Sequence, residues 1–148
     1  MSSIQTILLP VGADLYAVPI ESVREILAAP AVARLVTAPA SVLGLVNVRG
    51  EIVPLLDTAA LLGVGTVGSA PFAAVLHTAH GPAALASTGF PQRVELGPPI
   101  GSSELPGTAG TYGLGQRVAV MLDPAVLLGI ERAGESDLHP GLATMGLH

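Results

Sequence analysis

Gly44-Leu45-Val46-Asn47-Val48-Arg49-Gly50-Glu51-Ile52-Val53-Pro54-Leu55-Leu56-Asp57 consists of two apolar, β-branched runs around a break at Gly50-Glu51. The pattern predicts a β-hairpin. Glycine as the first residue of a two-residue loop suits a type II′ turn, whose twist matches that of paired strands. In that register Arg49 faces Ile52, Val48 faces Val53, Asn47 faces Pro54 and Val46 faces Leu55. Val46, Val48, Val53 and Leu55 then share a uniform apolar face, while Asn47 and Arg49 share the other with Leu45, Ile52, Pro54 and Leu56. The first face reads as core and the second as mixed. Pro54 has no N–H to give a ladder, which predicts an edge or a bulge there. An arginine isolated on a half-apolar edge is a candidate contact residue. The plainer alternative is a surface arginine whose stem lies over apolar neighbours.

Working outward, Ile4 to Val11 and Leu15 to Ile20 form β-like runs on either side of Gly12-Ala13-Asp14, an opening hairpin. From Ile20 the apolar positions Ile20, Val23, Ile26 and Leu27 recur at helical spacing and predict a short helix. Pro30 ends it, Leu35-Val36 offers a brief strand, and Pro39 to Leu43 can form one helical turn. After the hairpin, Asp57 is placed as an N-cap and Gly63 as the residue closing a helical turn. The same device returns 66 residues on (57 to 123). Leu56, Asp57, Ala59, Leu61, Leu62 and Gly63 are matched by Leu122, Asp123, Ala125, Leu127, Leu128 and Gly129, each set following an apolar run. Two similar halves follow from that match. Phe72 to His77, Ala83 to Ser87 and Arg93 to Leu96 are further strands, the first two joined by a turn at His80-Gly81. Gly97 to Gly115 reads as a loop with strand structure returning near Tyr112 or Gln116, and residues 133–148 read as a frayed tail after a domain spanning 1–132. Many short strands at close spacing with few helical turns predict an all-β barrel or sandwich.

Half of the 148 residues are hydrophobic while only 3% are aromatic, so the core has to be aliphatic. The chain has no lysine, and its net charge of −5 argues against a nucleic-acid partner. It has no cysteine, which excludes disulfides and thiolate-held metals and fits a reducing compartment. The mean hydropathy of +0.65 raises the question of a membrane. The uncharged stretch from Thr58 to Gln92 is broken by Gly63, Gly65, Gly68, Pro71, Gly81, Pro82 and Gly89, which argues against a spanning helix of about 20 apolar residues. No cation precedes Arg24, so no secretory signal is expected, and the cytoplasm is the expected location.

Candidates for chemistry have plain explanations. Asp57 and Asp123 precede helical turns and read as caps rather than a catalytic carboxylate pair. His77 and His80 have ligand-like spacing, but no Cys, Asp or Glu lies near them in sequence, so no metal site is expected. Gly107 to Gly115 lacks the Lys-Ser/Thr of a phosphate loop. Without a nucleophile, base and orienting group, neither catalysis nor a cofactor is expected.

Asn47-Val48-Arg49-Gly50-Glu51-Ile52-Val53-Pro54-Leu55-Leu56-Asp57 resembles the N-L-R-G-x-I-V-P-V-x-D signature of the CheW family, coupling proteins of bacterial chemosensory arrays. Tyr16-Ala17-Val18-Pro19-Ile20 followed by Val23-Arg24-Glu25-Ile26, and Val120-Met121-Leu122-Asp123 followed by Leu127-Leu128, resemble the family's other two motifs, so the likeness runs from about residue 4 to 130. It implies two intertwined, five-stranded, SH3-like β-barrels with a few short helices. It also implies a non-enzymatic adaptor between the cytoplasmic tip of chemoreceptors and the regulatory domain of a CheA-type histidine kinase. By the same resemblance Arg49 matches the signature arginine of receptor coupling and Glu25 an acidic residue of that surface. Asn47 lies in the signature, and Val23 and Gly44 match positions sensitive to substitution. Ala84-Leu85-Ala86-Ser87-Thr88-Gly89-Phe90 departs from the family's alternating, acid-bearing central motif. A divergent relative serving another signalling system, or a barrel holding a small molecule, are the alternatives.

Overall fold

The computed structural model describes residues 3–129, and the expected tail at 133–148 lies outside the described residues. In chain order the strands are β1 (Ile4–Val11), β2 (Asp14–Pro19), β3 (Val23–Ala28), β4 (Val32–Ala33), β5 (Val42–Val48), β6 (Glu51–Leu56), β7 (Phe72–Leu76), β8 (Ala83–Ser87), β9 (Gln92–Leu96), β10 (Thr108–Leu114) and β11 (Arg117–Leu122). One sheet runs β10-β11-β2-β1-β9 and the other β3-β7-β8-β6-β5-β4. The chain starts one barrel with β1 and β2, builds the whole second barrel, and returns to complete the first. The two subdomains are therefore intertwined.

The duplication is visible in the strand bounds. Shifted by 66 residues, β5 falls on β10 and β6 on β11, and each pair is antiparallel with a register shift near its start. Each second strand then pairs in parallel with a strand from the hairpin of its own barrel, β6 with β8 and β11 with β2. Asp57 caps helix α1 (Thr58–Leu62) by accepting the Ala60 N–H at 3.0 Å, and Gly63 closes it at φ +76. A helical turn at 124–129 repeats the arrangement behind Asp123. The two caps differ in depth. Asp57 is buried and also accepts the Val67 N–H at 3.0 Å, tying down the following loop, whereas Asp123 reaches the Val126 N–H only at 3.4 Å.

Three apolar clusters explain the hydrophobic composition. Leu8, Leu15, Ala17, Leu96, Tyr112, Ala119 and Met121 fill the first barrel. Val46, Val48, Val53, Leu55, Ala73, Val75, Ala84 and Ala86 fill the second. Between them lies a shared core drawn from both sheets, including Leu9, Val18, Leu56, Leu76, Leu85, Leu122 and Leu127. Strands that separate two cores bury both faces, so they read as continuous apolar runs. In β7, Ala73 and Val75 point into the second barrel while Ala74 and Leu76 point into the shared core. β8, buried at all five residues, lacks an alternating pattern for the same reason.

Several sequence expectations are corrected. The central hairpin pairs Val48 with Glu51, Asn47 with Ile52 and Val46 with Val53, so its turn is Arg49-Gly50 and not Gly50-Glu51. Arg49 at φ +54 and Gly50 at φ +86 are both left-handed, the requirement of a type I′ turn. The register moves by two residues, so the faces remain as read. Leu56 lies on the face opposite Leu55, as read, but that end of the mixed face is core. Pro54 sits in an interior strand and not at an edge. The ladder to β8 is two pairs long and begins only at Leu55, after the proline.

The expected helix from Ile20 is a single 3-10 turn, Ile20–Ser22, followed by strand β3. The register passes from Val23↔Leu76 to Glu25↔Val75, which leaves Arg24 as the extra residue of a bulge. That bulge puts Val23 and Ile26 on one side of the strand, against the shared core, and so imitates helical spacing. Leu35-Val36 is an exposed loop and the short strand is Val32–Ala33. Pro39 to Leu43 leads into β5 through a turn closed by Val42 N–H to Pro39 O at 2.9 Å, not a helical turn. β10 begins at Thr108, and Gly101 bridges to Thr111, so much of the expected loop is paired.

Two stability outcomes follow. Asp57→Ala should cost about 2 kcal/mol, toward the upper end for a cap because the part-buried Val67 N–H also loses its acceptor, and Asp123→Ala clearly less, measured by urea unfolding. Gly44→Ala should cost about 1–3 kcal/mol in the same assay. A Cβ there would collide with the Ala33 carbonyl oxygen and lie 2.7 Å from Val32 Cγ1.

Candidate functional site

The tip of the β5–β6 hairpin and the bulge of β3 meet at one end of the second barrel. Bulging re-aims a strand's side chains. Here it places Arg24 beside Glu25 and across from the hairpin. Arg24 Nε lies 3.1 Å from Glu25 Oε2, Arg24 Nη1 lies 2.9 Å from Glu51 Oε1, and Arg49 Nε lies 3.4 Å from Glu25 Oε1. The result is a chain of alternating charge, Glu51–Arg24–Glu25–Arg49. Hydrogen bonding to Glu51, and then to Glu25, holds the Arg24 guanidinium charged more firmly than usual.

Exposure is lowest in the middle of this chain and rises toward both ends. The side chains of Glu25 and Arg24 are 19% and 24% exposed, Glu51 is at 50%, and Arg49 reaches 81%. Arg49 is therefore held at one nitrogen while its outer guanidinium faces solvent, which differs from an arginine laid along an apolar surface. Ion pairs near a surface add little to stability, so the network serves arrangement more than stability.

Local chain chemistry builds the tip. The Asn47 carbonyl Oδ1 accepts the Gly50 N–H at 2.8 Å and pins the turn. Arg49 then occupies a left-handed position that costs a side chain roughly 1–2 kcal/mol. The corresponding residue of the other half is Gly115, at φ +62, in the turn between Leu114 and Arg117. Among the described residues that second tip shows no such network, and Arg117 Nη2 instead donates to the Ala13 carbonyl at 2.9 Å.

The residues expected to matter thus separate. Glu25, Asn47 and Arg49 come together at the tip. Val23 pairs with Leu76 and packs on the shared core, and Gly44 lies under β4, roughly 15 Å along the strand from Arg49. Arg24 and Glu51 were missed as site residues. Their complementary charges sit in Arg24-Glu25 and Arg49-Gly50-Glu51, but the pairing is visible only once the bulge is known. Ile52, opposite Asn47, adds an apolar residue 59% exposed to the same tip.

Elsewhere, His77, His80 and Asp123 line a shallow cleft of about 400 Å³ with Ser22 and Leu128. Among the described residues no group of three or more His, Cys, Asp or Glu is arranged to hold a metal ion. No helix among them is long and apolar enough to cross a membrane.

No curated protein is recognisably similar in sequence. Among solved structures, the scaffolding protein TtCheW from Thermoanaerobacter tengcongensis has the same fold, with a TM-score of 0.72 at 16% identity over 85% of this chain and 92% of that one. The sequence model of the CheW-like domain matches residues 5–132. That span includes both barrels, the repeated caps and the charged hairpin tip, and the chain belongs to the CheW-like domain family.

Proposed function

We propose that this chain is a non-enzymatic adaptor that couples chemoreceptors to a CheA-type histidine kinase in the cytoplasm. The observation that carries this reading is the juxtaposition of Glu25 and Arg49, drawn from β3 and the hairpin turn, with the outer guanidinium presented to solvent. A site that accepts a left-handed arginine where its own repeat uses glycine is retaining that side chain against a conformational cost. Arginines of this kind dominate interfaces because a planar fork meets a carboxylate with two hydrogen bonds. Glu25, Asn47 and Arg49 form the contact surface in this reading, with Val23 and Gly44 as the frame that holds it. The adjacent Ile52 supplies apolar contact.

Membership of the CheW-like family and the fold shared with a scaffolding protein support adaptor over enzyme. Barrel interiors filled by side chains support it over a carrier of small molecules. In the assembly proposed, receptor tips meet the charged hairpin while the regulatory domain of the kinase binds the same adaptor, so that receptor state reaches the kinase.

The test uses Arg49→Gly, which leaves the turn in a conformation glycine prefers. Unfolding stability should change by no more than about 1 kcal/mol, because relief of the left-handed strain offsets loss of an exposed pair. Affinity for a receptor-tip fragment from the same genome, read by calorimetry, should fall about tenfold or more. Wild-type affinity in the folded variant would overturn the assignment of Arg49.

A further inference from the structure

We propose that Arg24 is the positioning residue for Arg49, acting by occupying both carboxylates that would otherwise draw the arginine back onto the barrel. Glu25 and Glu51 are both within reach of the tip, and Glu51 lies two residues from Arg49 on the same hairpin. Two carboxylates sharing one exposed arginine would fold its guanidinium inward with both ends engaged. Arg24 prevents this by geometry. As the bulged residue of β3 it turns out of the ladder, with Nε on Glu25 Oε2 and Nη1 on Glu51 Oε1. One oxygen of Glu25 remains for Arg49, and it takes Nε, the nitrogen nearest the stem. The two outer nitrogens of Arg49 are thereby left for a carboxylate on a partner. A fork is required for this role. A lysine is a single point charge and cannot hold two carboxylates at fixed spacing.

The same arrangement links β3 to the β5–β6 tip, strands that are not neighbours in the sheet. Arg24 is thus at once the closure of this end of the second barrel and the device that sets the direction of Arg49. In the duplicate tip of the first barrel, Arg117, at the position of Glu51, donates to the Ala13 carbonyl and Gly115 presents no side chain.

The binding arm of the test rests on the coupling function proposed above, and the other arm does not. The full chain is compared as wild type, Arg24→Met, and Arg24→Met with Glu51→Gln. Side-chain ¹H–¹⁵N spectra report the Arg49 Nε–H signal, and calorimetry reports affinity for the receptor-tip fragment. Arg24→Met should move the Arg49 signal and weaken binding about two- to five-fold, the range expected of exposed ion pairs. Removing Glu51 as a competing acceptor should restore part of both changes, which a merely structural loss would not. An unmoved Arg49 signal in folded Arg24→Met, or no restoration by Glu51→Gln, would overturn the proposal. If wild type binds no receptor tip, the coupling function fails while the Arg49 signal still decides the role of Arg24. Should Arg24→Met not fold, Arg24→Lys takes its place with the same expectations.

Discussion

Leu55 and Leu56 are adjacent on β6 and are buried in opposite directions, one into the second barrel and the other into the core shared by both barrels. The rest of the architecture depends on that double burial. Leu85 of β8, Leu76 of β7 and Leu9 of β1 contribute to the shared core from strands whose alternate residues fill a barrel or line its wall. Each fully buried aliphatic side chain contributes about 1.5–3 kcal/mol. A cluster drawn from both sheets therefore fuses the two barrels into one packed body. A rigid frame is what lets a hairpin tip some distance away present charged groups in fixed directions.

The two halves share backbone and differ in chemistry. Strand bounds, register shifts and caps repeat at 66 residues, yet one tip carries Arg49 in a left-handed turn and the other carries Gly115. Glycine is the low-cost choice at such a position. At the Arg49 tip the chain departs from that low-cost choice. The β3 bulge completes the difference by supplying Arg24 and Glu25 from a neighbouring edge.

Much of this was legible in the residues. Apolar runs between turn residues identified the opening and central hairpins, β7, β8 and β9, and the Asp-to-Gly spacing identified both closing turns and the duplication. What escaped shares a physical origin. A bulge changes which residues share a face, so β3 imitated a helix, and the pairing of Arg24 with Glu51 stayed hidden. The left-handed backbone at Arg49 carries no composition signal, so Gly50-Glu51 looked like the natural turn and the register was displaced by two residues. Where Val23, Gly44, Glu25 and Arg49 sit relative to one another needed the packing, since all four sit in equally motif-like surroundings.

If the β5–β6 tip is the contact site, its duplicate at β10–β11 is not. Backbone amide shifts of the full chain, recorded with and without a receptor-tip fragment, test that asymmetry in one titration. Perturbations are expected at residues 24–26 and 47–52, with residues 113–118 unmoved. Perturbation centred on residues 113–118, or a saturating complex that leaves residues 47–52 unchanged, would contradict it.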